Sequence, residues 1–392
     1  MSETEAPPVA RGARRRLVFA AAAVMLAAAD TYVVVLALPS IMNDVGLSID
    51  KLSQAAPIVS GFLLGYVAML PLLGRLSDLY GRRPVFVACL VTFAVGSVLT
   101  ASAESLAMVV AGRTIQGLGG GGLVPVTLAL VADGWPVGRR GLPLGAVGAV
   151  QEMGSVLGPL YGAVIVEHSG WRTIFWINLP VSFLLGLAFV MLPERHGDSP
   201  QKRRRDWRRV AAAAMLLLAA GCGALALVQP SALASDATWG QLFAPLGGAS
   251  ALTMPISLVT FALLLVAVPL LPLRRIRAVL HAADWAGAAL LGCVLGCIVL
   301  SFSTADTSKE VLGAAAVVLL PAGAVLALLF VLRERRARDP LVPLAAFGDR
   351  AAFGSLLVNL GVGAALMAAL VDVPIFARAT LYPNSQLDAA LV

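Results

Sequence analysis

Residues 144–166 read LGAVGAVQEMGSVLGPLYGAVIV, a run long and apolar enough to cross a bilayer. It is a poor plain anchor. Glu152 stands in mid-span, glycines recur along it, and Pro159 interrupts it. An acid at bilayer depth costs about 3 kcal/mol on insertion scales and marks a pathway or a proton relay. Glycine and proline weaken a lone helix, and are tolerated where neighbouring helices or a cavity satisfy the freed backbone groups. The stretch therefore implies a bundle of spanning helices with an interior.

The rest of the chain agrees. Of 392 residues, 59% are hydrophobic and 13% charged, with a mean hydropathy of +0.88. Soluble domains carry about 25% charged residues, so the chain reads as an all-α integral membrane protein. Eleven apolar runs are expected to span, at about 17–38, 54–73, 84–102, 106–131, 142–166, 172–192, 210–229, 251–272, 285–303, 311–332 and 352–375. The basic start ARGARRRLVFAAAAVMLAAAD has the make-up of a signal peptide. Its apolar run continues past Asp30, however, and reads as a retained first span.

Charge orients these spans. With the N-terminus cytoplasmic, every cytoplasmic link holds two or more arginines, and QKRRRDWRR (201–209) is the densest. The outer links hold only Lys51, Arg172, Lys309 and Arg378, as the positive-inside rule expects. The excess of 29 basic over 22 acidic residues is thus placed by topology, and no nucleic-acid partner is implied. Anionic lipid is a second use for the basic cluster. A weak repeat joins RRDWRRVAAAAMLLLAAGCGALALV to HAADWAGAALLGCVLGCIVL: each opens a helical hairpin, and chance similarity explains them equally well.

Polar groups inside the spans are the candidate site. Asp30 and Arg113 each lie about eight residues below the outer end of their spans, so at 1.5 Å per residue they share a level and can pair. Glu152 lies about 7–8 Å deeper, without an equally placed partner. Desolvation there would favour its protonated form, making it a candidate proton carrier; a structural acid held by its neighbours is the alternative. On a helical wheel Gly141, Gly145, Gly148 and Pro159 fall within about 40° of Glu152 and clear volume around it. Gly154, Gly158 and Gly162 form a second ridge about 120° away, suited to close helix packing. The link GRLSDLYGRR (74–83) supplies Gly74 and Gly81 for tight geometry, and Asp78, Arg82 and Arg83 for charge-assisted bonds to helix ends. It reads as a conformational latch or, equally, as an ordinary polar turn.

Catalysis has little support. Lys51, Lys202 and Lys309 end no G-x-x-x-x-G-K loop, His168, His196 and His281 are scattered, and no metal-ligand spacing occurs. Cys89, Cys222, Cys293 and Cys297 read as small buried side chains, so no metal and no cofactor are expected.

These residues resemble the major facilitator superfamily, and within it the drug:proton antiporters with extra central helices. GRLSDLYGRR is similar to the superfamily's motif between helices two and three, and AGRTIQGLGGGG (111–122) to its helix-four arginine motif. GSVLGPLYGA (154–163) resembles the antiporter motif of helix five, with Gly154, Gly158, Pro159 and Gly162, and AAADTYVVVLALPSIM (27–42) the helix-one acidic motif. DTYVVV, IMNDVG, LLGYVAMLPLLGRLSD, QEMGSVLGPLYG, FWINLP and LVDV look closest to the mycobacterial subgroup exporting triacylglycerides and drugs with a periplasmic lipoprotein.

The resemblance implies a multi-pass transporter of the cytoplasmic membrane, not an enzyme, exporting lipids or amphiphilic drugs against protons. The proton gradient would be its energy source and the lipoprotein its partner. Glu152, Asp30 and Arg113 would couple protons; Gly74, Asp78, Gly81 and Arg82 would form the latch. The expected layout is a tail at 1–16, a six-helix bundle at 17–194 and a central linker of about four helices at 195–350. Residues 351–392 would be the first helix of a C-terminal bundle that is largely missing. Other readings are a carrier for small polar metabolites, and a non-transporting membrane partner that binds a lipoprotein or lipid.

Overall fold

The structure, a computed structural model, describes residues 12–48, 52–192, 284–303, 315–337 and 350–367, with isolated pieces between 215 and 263 and at 313 and 376. The expected spans at 210–229 and 251–272, the first copy of the Asp-Trp repeat and the LVDV stretch lie outside the described residues for the most part. Among the described residues all regular structure is helical, and eight of these helices are long and apolar enough to span.

Helices α1 (Ala13–Asp44), α2 (Leu52–Tyr80), α3 (Arg82–Ala101), α4 (Leu106–Gly134), α5 (Gly141–Ser169) and α6 (Arg172–Met191) form the bundle. Then come α7 (Trp285–Ser303), α8 (Ala316–Arg336) and α9 (Arg350–Met367). The first helix begins within the expected N-terminal tail.

Helix α4 is the centre of the bundle, wedged between α2 and α3. Its glycine run makes this possible. A Cβ on Gly117 would sit 2.0 Å from the Phe62 carbonyl oxygen, and one on Gly121 2.1 Å from that of Tyr66. On the α3 side, a Cβ on Gly119 would lie 2.4 Å from the backbone nitrogen of Phe93. Any larger residue would force the backbones apart. In hydrocarbon, where burial of apolar surface drives little, such close approach supplies the packing energy.

Helix α1 packs along α5 and touches α4 and α6, α3 carries α6, and α7 lies on α2 with α8 behind it. Within the α1–α6 bundle the packing leaves two apolar clusters. One gathers Ala27, Phe62, Phe86, Phe93, Leu123 and Phe189; the other gathers Val34, Ile41, Ile58, Val109, Ile174 and Phe175. Between them, on α1, α3, α4 and α6 alike, lies a polar layer.

Candidate functional site

That layer is built from one carboxylate outward. Asp30, Arg113, Gln116, Ser97 and Asn178 are all buried to within 1%. Arg113 Nη1 donates to Asp30 Oδ2 and, at 2.8 Å, to Gln116 Oε1. Nη2 reaches the Asp30 carbonyl at 3.3 Å, and Nε the Ile58 carbonyl at 3.4 Å. The guanidinium lies 4.3 Å from the centre of the Phe62 ring and 5.7 Å from that of Phe175, so cation–π contacts replace water on its faces. The other carboxylate oxygen, Oδ1, accepts from Gln116 Nε2 at 2.9 Å and Asn178 Nδ2 at 2.6 Å. Gln116 Nε2 also donates to Ser97 Oγ at 2.8 Å. The expected Asp30–Arg113 pair thus forms, at a level shared by four helices.

Sequence reasoning named the two charges and missed Gln116, Asn178 and Ser97. The signal for Gln116 was its spacing. It lies three residues after Arg113 and so on the same helix face. Nothing in the apolar run around Asn178 pointed across to α1.

Helix α5 has two contrasting faces, as the wheel predicts. A Cβ at Gly154 or Gly158 would lie 2.5 Å from the carbonyl oxygen of Met25 or Ala29, and one at Gly162 2.2 Å from Val33 Cγ2. Gly141, Gly145 and Gly148 have nothing within 4 Å of that position. Glu152 is exposed on this open face, beside exposed Met153, Val156 and Leu157. Two expectations change here. Glu152 is not covered by the described residues, because α5 turns its glycine ridge, about 120° away, toward α1. Pro159, which the wheel groups with Glu152, is buried with Gly158. From α1, Tyr32 approaches this face, beside Ser155 and within electrostatic reach of Glu152.

The α2–α3 link turns at Gly81, whose φ of 91° suits glycine. Arg82 is its hub, donating to Asp78, to Ser77 Oγ at 2.7 Å and to Asp133 Oδ2 at 3.0 Å at the end of α4. Ser77 in turn donates to the Gly74 carbonyl at 2.6 Å, and a Cβ on Gly74 would meet Pro125 of α4 at 3.3 Å. Arg83 reaches the Leu192 carbonyl at 2.8 Å, after α6. The charge-assisted bonds to helix ends are therefore made, and Asp133 is a partner the sequence did not reveal.

At the same end, Asp284 caps α7 through the Gly287 N–H at 2.9 Å and accepts from Arg333 Nε of α8 at 3.0 Å. Burial works to raise the Asp284 carboxyl, but bonds from Arg333 and Gly287 and the charges of Arg333 and Arg75 hold it below the usual carboxylate range. At the opposite end, Asp44 accepts from Trp171 Nε1 at 2.9 Å and from Arg172, which also binds the Ala103 carbonyl at 3.0 Å. Among the described residues no group of three or more His, Cys, Asp or Glu could hold a metal.

The sequence profile of the Major Facilitator Superfamily matches residues 20–332. The chain belongs to this superfamily. Its members are membrane transporters rather than enzymes. A probable triacylglyceride transporter of Mycobacterium leprae is 34% identical over 94% of this chain and 58% of its own length. A triacylglyceride transporter of Mycobacteroides abscessus is 45% identical over 53% of this chain and 40% of its own. That of Mycolicibacterium smegmatis is 48% identical over 47% and 32%. In these matches the chain spans about a third to three fifths of the relatives' length.

Proposed function

We propose that this superfamily member works in proton-coupled export of triacylglyceride-type lipids and amphiphilic drugs, in the cytoplasmic membrane with its arginine-rich end in the cytoplasm. The observation that carries the reading is the contrast between two acids on adjoining helices. Asp30 is sealed against Arg113, while Glu152 stands open on a glycine-cleared, apolar face of α5. An acid in the middle of a span, reachable from a cavity, can load and release a proton as access alternates. The apolar side chains around Glu152 suit an acyl chain or a drug ring. The proton gradient is the energy source in this reading, and the Arg82 hub is a latch that breaks as the bundle rocks. The relatives' names support the lipid cargo, and a periplasmic lipoprotein is the partner that would receive it.

The test is export from cells or vesicles under an imposed proton gradient. Glu152→Gln should reduce export to the level of membranes without the protein, while membrane insertion stays normal. Export that persists after the gradient is collapsed would defeat the proton coupling.

A further inference from the structure

Asp30 is fully buried, so a proton taken up by its carboxylate needs an acceptor supplied by the protein. Every side chain bonded to that carboxylate now meets it as a donor: Arg113 and Gln116 from α4, and Asn178 from α6. Tyr161 of α5 lies within electrostatic reach without a hydrogen bond to it, and Arg113 is the only charge beside it among the described residues. The neighbouring helices act one step further out. From α2, Ile58 and Phe62 offer a carbonyl and a ring to Arg113, and from α3, Ser97 bonds Gln116.

The three donors differ in whether they can change part. A guanidinium has N–H groups and no acceptor, so Arg113 cannot. Gln116 is held at both ends. Its Oε1 accepts from Arg113 Nη1 at 2.8 Å, and its Nε2 reaches Ser97 Oγ at 2.8 Å as well as Asp30. Turning it would set an N–H against the guanidinium and face Ser97, whose hydroxyl already serves the Phe93 carbonyl at 2.9 Å. Asn178 is held by one side-chain bond among the described residues, from Nδ2 to Asp30 Oδ1 at 2.6 Å. A half-turn of its amide puts the Asn178 oxygen in that place and breaks no other bond. A protonated Asp30 Oδ1 would then donate to Asn178 and still accept from Gln116, while Oδ2 kept Arg113.

We propose that Asn178 is a positioning residue whose amide turns when Asp30 takes up a proton, changing from a donor to the carboxylate into the acceptor of the carboxyl. This deepens the export reading given above and rests on it in one respect, that protons pass through this bundle. The Asp30–Arg113 pair then takes part in the coupling beside Glu152, and α6 registers the charge state of α1 through a single side chain.

The experiment is an infrared pH titration of the full chain in lipid membranes, with asparagine isotope-labelled at its side-chain carbonyl. Two bands should change together. One is a carboxyl C=O stretch that Asp30→Asn removes; the other is an asparagine carbonyl stretch that the label shifts and Asn178→Gln removes. In Asn178→Leu, which offers no acceptor, the Asp30 carboxyl stretch should move to higher wavenumber, and Asn178→Gln, which keeps an amide able to turn, should restore it. An Asp30 carboxyl band without a label-sensitive partner would overturn the proposal, as would a partner band that survives Asn178→Gln, an unmoved stretch in Asn178→Leu, or no Asp30 band at any pH. The labelled parent protein decides the matter if Asn178→Leu does not fold. The readout needs neither cargo nor gradient, so export that survives a collapsed gradient would defeat the export reading and leave the Asn178 result standing.

Discussion

Arg113 and Asp30 have no solvent to fall back on. Removing one member of a buried pair strands the other, at a cost of about 3–5 kcal/mol, more than the net worth of the intact pair. Arg113→Ala and Asp30→Ala should each lower the thermal stability of the purified protein strongly. The double variant should fall well short of their sum, because the stranded charge is gone. Thermal unfolding in detergent, arranged as a double-mutant cycle, measures this directly. Asp133 sits at the other extreme: its side chain is 58% exposed, so its ion pair with Arg82 is worth at most about 1 kcal/mol. Asp133→Asn should leave stability nearly unchanged, and any loss of export would mark the contact as conformational.

At the scale of the helix, α4 and α5 make opposite predictions from the same residue type. Gly117→Ala or Gly121→Ala drives a methyl group into a backbone carbonyl and should cost about 1–3 kcal/mol or abolish folding. Gly148→Ala meets nothing within 4 Å and should be neutral or slightly stabilising, since alanine is the better helix former by about 1 kcal/mol. Membrane yield and melting temperature of the three variants separate the cases. The α7–α8 hairpin adds a pH dependence. The folded Asp284 carboxyl is held below its unfolded value, so it contributes stability above the ordinary carboxylate range of about 3.9. That contribution is lost as the pH falls through the lower, folded value. Protease cleavage at the α7–α8 ends should therefore rise in acid, and Asp284→Asn should flatten the dependence.

For the molecule as a whole, the described helices and the two principal charges were legible in the sequence, because each is a local signal. A span declares itself by twenty apolar residues, and an ion inside one by its cost. The glycine ridge of α5 was legible for the same reason, since the helix period alone puts residues 154, 158 and 162 on one line. What stayed hidden was long-range. Asn178 and Asp133 sit in ordinary stretches of helix, and only the fold brings them to Asp30 and Arg82. The openness around Glu152 was half legible. The wheel gave the cleared face, but desolvation depends on what covers that face, and no local pattern encodes it. The Asp-Trp of the second hairpin gains a local meaning, because Asp284 caps the helix that Trp285 begins.

The α1–α5 seam has a further consequence. Its seats repeat every four residues on both helices: Gly154 at Met25, Gly158 at Ala29 and Gly162 at Val33. Four residues of helix rise by about 6 Å. A displacement of α5 by that amount along α1 would bring Gly154 to Ala29 and Gly158 to Val33, with Val150 arriving at Met25. Two of three seats would again hold a glycine, but Val150 would carry its side chain into the seat where even a single Cβ lies 2.5 Å from the Met25 carbonyl oxygen. The seam is thus keyed to one register, and it fixes the height of Glu152 in the membrane relative to α1.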